Sequence, residues 1–163
     1  MANKINLDKS LRLDITCRKG DTFQMNITIQ NANNERQSIT SDRFSMQVRR
    51  KDTDEGANGL ILTTDSNQAS IDGGSNNPTL PNAEAAASDA FATFTIDRGS
   101  SNSTDSTYGV LTITVSALDM SNVPAGRYVY DIEHYSSTNE LQRTLLNGNF
   151  VVNEDVSNVG AIS

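Results

Sequence analysis

"AGRYVYDIEHYSSTNELQRTLLNG", residues 125–148, decides the fold. Tyr128, Tyr130 and Ile132 fall on one face of an extended segment, because side chains of a strand repeat every second residue. A polar turn at 136–139 follows, and a return strand runs through Leu141, Leu145 and Phe150, with Gly148 expected to mark a bulge or bend. The stretch is therefore a hairpin that closes a β-rich domain.

The same period of two runs backwards through the chain. "LRLDITC" sets Leu11, Leu13, Ile15 and Cys17 on one face, "RKGD" turns around Gly20, and "TFQMNITIQ" points Phe23, Met25, Ile27 and Ile29 inward. These first two strands form either a hairpin or members of opposing sheets. "RFSMQVRRK" aligns Phe44, Met46 and Val48 against Ser45, Gln47 and Arg49 as a third strand. "FATFTID" carries Phe91 and Phe94 out of phase unless a bulge intervenes, and "GVLTITVSA" aligns Leu111, Ile113 and Val115. "ALDMSNVPAG" has room for one helical turn before Pro124 and Gly126 stop it. Residues 52–90 read as a long loop excursion, with a helical turn at "AEAAAS" and a small hairpin of Leu60, Ile61, Leu62 and Ile71 as its only candidate structure. About seven strands without helical period or repeat predict an all-β, single-domain antiparallel β-sandwich.

Composition bounds what such a domain does. In 163 residues, 36% are hydrophobic and 20% charged, a lean core under much polar surface. A net charge of −7 disfavours nucleic acid and anionic membrane as partners, since both attract basic fields. The N-terminal "MANKINLDKS" lacks the apolar run of a signal peptide, so synthesis and residence in the cytoplasm are expected unless an assembly carries the chain out.

Chemistry-bearing residues are sparse. Cys17 reads as a small buried hydrophobe rather than a nucleophile, and the single histidine, His134, as a surface or rim residue beside a turn. Asp52, Asp54, Glu55 and Asn58 are oxygen donors, but Gly56 and Ala57 occupy the fifth and sixth positions of an EF-hand register, which leaves a solvated hairpin tip. "RGSSN" and "RKGD" lack the Gly-Lys-Ser/Thr of a phosphate loop. Arg49, Arg50 and Lys51 are expected to pair with the acids after them or to form a solvated strand end rather than an RNA site, and the acceptor tripeptides at Asn26 and Asn102 are read as accidental. Tyr108 and Tyr135 are too few for a carbohydrate platform. No catalytic, cofactor-binding or metal-ligating residue is assigned, and the chain is expected not to be an enzyme.

Four short motifs carry a resemblance. Lys19, Gly20, Asp21 and Thr22 after the first strand, Phe44-x-Met46-x-Val48-Arg49, the run Pro124 to Asp131, and Gly148-x-Phe150-x-Val152 resemble the immunoglobulin-like domains of phage tail and baseplate proteins, including the N-terminal domain of the baseplate upper protein family. The resemblance covers about residues 11–52 and 108–156 and departs at 53–90. It implies an immunoglobulin-like sandwich at 11–156, an N-terminal arm at 1–10, a C-terminal tail at 157–163, and a non-enzymatic structural role in a virion made in the host cytoplasm. Partners would be other virion proteins of tail, baseplate, neck or capsid, in several symmetry-related copies. A capsid decoration protein and a host-surface or carbohydrate-binding module are the alternatives.

Overall fold

A computed structural model describes residues 10–51, 59–64, 90–135 and 142–156. They form nine strands: β1 (Leu11–Arg12), β2 (Ile15–Arg18), β3 (Phe23–Thr28), β4 (Arg43–Arg49), β5 (Leu60–Thr64), β6 (Ala92–Asp97), β7 (Val110–Val115), β8 (Gly126–Tyr135) and β9 (Gln142–Asn153). One helical turn, α1 (Ala117–Met120), lies between β7 and β8. The expected segments on 1–9, 52–58, 65–89, 136–141 and 157–163 lie outside the described residues, among them both tails, the "AEAAAS" turn, Ile71, Leu141 and the donors Asp52, Asp54, Glu55 and Asn58.

The first sheet runs β1/β2–β9–β8–β4–β5 and the second runs β6–β7–β3. Phe150 of β9 and Phe23 of β3 stand in different sheets with ring centroids 5.5 Å apart, so the sheets face one another across a shared core. Phe94 and Tyr130 pack edge-on around the same pair, at 5.9 Å from Phe23 and 6.2 Å from Phe150. The orders β3–β7–β6 and β5–β4–β8–β9 reproduce the B-E-D and C′-C-F-G sheets of an immunoglobulin-like sandwich. The first two strands therefore belong to opposing sheets, β2 on β9 and β3 on β7. At one side the layers also join, because β5 and β6 pair in parallel from Leu62↔Ala92 to Thr64↔Phe94.

The corner before β8 is built by local chemistry. Ser116 caps α1, its Oγ accepting the Asp119 N–H at 3.1 Å and donating to Asp119 Oδ2 at 2.8 Å. Met120 and Val123 drop into the core, and the Tyr128 hydroxyl donates to the Pro124 carbonyl at 2.6 Å. This is a tyrosine corner, which ties the entry of the strand to the loop before it. Tyr128→Phe keeps the ring and leaves that carbonyl without its donor; we expect a loss of about 1 kcal/mol in urea unfolding, with an unchanged slope.

Five sequence expectations change. Strand one is broken at Leu13–Asp14, and Leu11 and Leu13 are 68% and 46% exposed. Its kink lies over Gly148, where an added Cβ would meet the Leu13 carbonyl oxygen at 2.3 Å. The bulge of the closing hairpin sits at Leu145 rather than Gly148, since the register passes from Ile132↔Leu146 to Glu133↔Thr144. "LILTT" is a sheet strand buried along its whole length, paired on both edges, and no part of a loop excursion. Phe91 precedes β6 and is 45% exposed, so Ala92, Phe94 and Ile96 keep a regular inward phase without a bulge. β4 is covered on both faces: Arg43, Ser45 and Arg49 are buried opposite Phe44, Met46 and Val48.

Candidate functional site

Two loops meet at the end of the sandwich where β3 and β6 finish. The connection 29–42 folds back through a Gln30–Arg36 bridge, and the Asn31 side-chain oxygen accepts the N–H groups of Asn33 and Glu35. The connection 98–109 is a chain of side-chain-closed turns. Asp97 accepts from Gly99 N–H, Asn102 from Thr104 and Asp105 from Thr107, the last two through both backbone and hydroxyl. The bonds from Thr107 also hold the exposed Asp105 carboxyl below its ordinary range. The loops lock to each other where Ile29 N–H donates to the Gly109 carbonyl at 2.8 Å and Arg36 Nη1 donates to the Ser106 carbonyl at 2.9 Å.

Beneath them lies His134. Its phase continues Tyr128, Tyr130 and Ile132, which turns it inward, and it is 4% exposed rather than a rim residue. The ring stacks on its cross-strand partner Phe44 at 4.7 Å and 6°. Nε2 lies 2.7 Å from Asp42 Oδ2, while Arg98 Nε donates to the Asp42 carbonyl at 2.6 Å. Nδ1 is buried without a hydrogen-bond partner, which is less costly for a bare lone pair than for an N–H. The arrangement thus assigns the ring proton to Nε2, donated to Asp42. A histidine–carboxylate pair is two of the three members of a catalytic triad, but among the described residues no hydroxyl or thiol stands at the second nitrogen, and the ring has almost no accessible surface. Its work is to tie the 29–42 loop and, through Arg98, the end of β6 to β8.

On the outer face of the same sheet, β4 sets Arg43, Ser45, Gln47 and Arg49 opposite Tyr135, Glu133, Asp131 and Val129 of β8. Arg49 donates to Gln47 Oε1 from both Nε and Nη2, and the Tyr135 hydroxyl donates to Glu133. Burial, then that hydrogen bond, push the Tyr135 phenol far up. The acids expected to pair with Arg49, namely Asp52, Asp54 and Glu55, lie outside the described residues. Burial, with Glu133 adding to it and Arg49 opposing, raises the Asp131 carboxyl to about 6. A carboxyl raised on folding binds its proton more tightly in the native state, so its contribution is greatest below about pH 4 and is lost as pH rises to about 6. Asp131→Asn should flatten that slope and stabilise the fold by about 1–2 kcal/mol at pH 7, checked by thermal unfolding between pH 4 and 8.

The other singled-out residues do not converge. Cys17 is half-buried, its thiol directed to the Val151 carbonyl at 3.6 Å and raised to about 11 by burial and Asp21, the state of an inert thiol. Asn26 is exposed on β3 and Asn102 closes a turn. Tyr108 is half-buried and Tyr135 buried, so they form no exposed aromatic platform. Among the described residues no three His, Cys, Asp or Glu side chains gather as a metal-ligand set, and no helix is long and apolar enough to cross a membrane.

No family profile matches the sequence, and comparison with curated proteins gives no match either. A solved structure from a study of multimeric cell-adhesive interactions of VGSC beta subunits aligns with 96% of this chain and 100% of its own, at 10% identity and a TM-score of 0.34, too slight a likeness to bear on what this chain does.

Proposed function

We propose that this chain is a non-enzymatic structural module of a phage virion, seated in the tail or baseplate and docked to neighbouring virion proteins through strand edges and loops. The observation that carries the reading is where the resembling residues fall. Gly20, at φ 84°, turns the chain from one sheet to the other, and Phe44, Met46 and Val48 are the inner face of β4. Tyr128 is the corner and Gly148 receives the kink of the first strand. Every motif serves the scaffold. The histidine is enclosed, so the surfaces left to meet a partner are loops stiffened by their own hydrogen bonds and strand edges with backbone groups to complete.

The acidic balance, −7, supports protein partners over nucleic acid or anionic lipid. Mass spectrometry of purified particles should find the chain, and a density map should place it in several symmetry-related copies at the tail or baseplate. A capsid-surface position would favour the decoration alternative. Its absence from particles and presence free in the cytoplasm would overturn the reading.

A further inference from the structure

The two ends of the hydrogen-bonded strand path are finished differently. At one end β1 and β2 are short, kinked, and carry the exposed charges Arg12, Asp14 and Arg18, which discourage another strand from adding there. At the other end β3 is a regular six-residue strand, and among the described residues it pairs only with β7. From Thr22 to Asn34 the sequence has no ionisable side chain and no proline. Because the Ile29 N–H is directed to Gly109 on the β7 side, alternation turns the backbone N–H and C=O groups of Gln24, Asn26 and Thr28 to the outer edge. On the inward face, Met25 and Ile27 are only half-buried, whereas Leu111, Ile113 and Val115 beside them on β7 are fully covered. Along this edge the core itself reaches solvent.

We infer that a second copy of this chain completes the edge, with β3 pairing antiparallel to β3 about a two-fold axis at Asn26. The three edge-facing residues are evenly spaced about Asn26, so the two-fold sets Asn26 opposite Asn26 and Gln24 opposite Thr28, amide and hydroxyl groups throughout. It also brings Met25 and Ile27 of both copies together over the margin of the core. Charge selects this route for self-association. Each copy carries −7, so copies meet most easily along a stretch without acids, as 22–34 is between Asp21 and Glu35. The outer face behind β3 offers Thr112 and Thr114, then Thr93 and Thr95, with Asp97 as its one charge on β6, two strands from the edge. The contact goes beyond the virion reading and holds whether or not that reading does.

A single strand pair is a small interface, so the association is weak and concentration-dependent. Sedimentation velocity of the full chain, from about 10 μM to about 1 mM, should move from monomer to dimer. Gln24→Lys with Thr28→Lys sets lysine opposite lysine at both cross-strand positions and should weaken the dimer roughly tenfold or more, while Thr95→Lys, on the same face but off the edge, leaves it intact. Circular dichroism and Tm show whether each variant is folded. In a Cys17→Ser background, Asn26→Cys should cross-link into a disulfide dimer faster than Leu118→Cys, which sits on an exposed position elsewhere. A monomer throughout the range, a dimer indifferent to the lysines, or cross-linking no faster than at Leu118 overturns the contact. A monomer whose Gln24, Asn26 and Thr28 amides resist hydrogen exchange would mean that the chain's own segment fills the edge, which also overturns it.

Discussion

Phe150→Ala should cost about 3–5 kcal/mol and lower Tm by roughly 10 °C, the largest effect of any single truncation in this core. Phe150 is fully buried, and its ring is the place where the sheets touch through Phe23 and where Tyr130 leans in from the neighbouring strand. Removing it leaves a cavity bounded by both layers, and strands tied into ladders on either side restrict collapse into the space. A domain of this size has about 5–15 kcal/mol in hand, so the variant should remain folded at 25 °C in buffer but unfold at markedly lower urea. Phe150→Leu should recover more than half of the loss. If Phe150→Ala unfolds within about 1 kcal/mol of the parent, the two layers do not pack through this ring.

Gly148→Ala should destabilise the fold by about 2–4 kcal/mol although it adds only a methyl group. The new Cβ would lie 2.3 Å from the Leu13 carbonyl oxygen and 2.9 Å from Asp14 Oδ1. Leu13 cannot yield cheaply. Its N–H donates to the Asn147 carbonyl at 2.9 Å and its carbonyl accepts the Tyr130 hydroxyl at 2.6 Å, while Asp14 Oδ1 accepts the Asn149 N–H at 2.9 Å. The least costly response is for residues 11–14 to lift from β9, giving up all three bonds and leaving the part-buried Tyr130 hydroxyl without an acceptor. Hydrogen exchange should then show the Asn149 amide losing protection while the β3–β7 amides keep theirs. Limited proteolysis should open a new cut near Leu13. Uniform loss of protection across both sheets would contradict this account.

How much of this was legible beforehand depended on whether one face or two were buried. Where a strand covers the core with one face, alternation displays it, and Leu111, Ile113 and Val115 or Tyr128, Tyr130 and Ile132 could be read directly. β5 is buried on both faces, so "LILTT" shows no alternation and reads as a fragment in a loop. β4 shows its apolar face openly, but the burial of Arg43, Ser45 and Arg49 depends on neighbours that no local pattern reveals. Leu11 and Leu13 alternate well and are still exposed, because contacts with Gly148 and Tyr130, far away in the chain, bend the strand there. For the candidate site a signal existed. His134 shares the parity of Tyr128, Tyr130 and Ile132, which placed it inward, while its nearness to a turn suggested the surface. The adjacent Leu145 and Leu146, two apolar residues in succession, likewise marked the bulge better than the glycine did.

The first and last strands lie side by side: Asn149 and Asp14, bonded to one another, are 135 positions apart. A polypeptide leaving the ribosome therefore carries β1 and β2 unpaired until their neighbour, 135 positions further on, has emerged. Closing so long a loop is a late step, typical of slow-folding topologies with distant contacts. Until residues 142–153 are available, Leu11, Leu13 and Ile15 have no β9 to settle on, so chains stalled or clipped in that segment should be the ones that chaperones and proteases intercept.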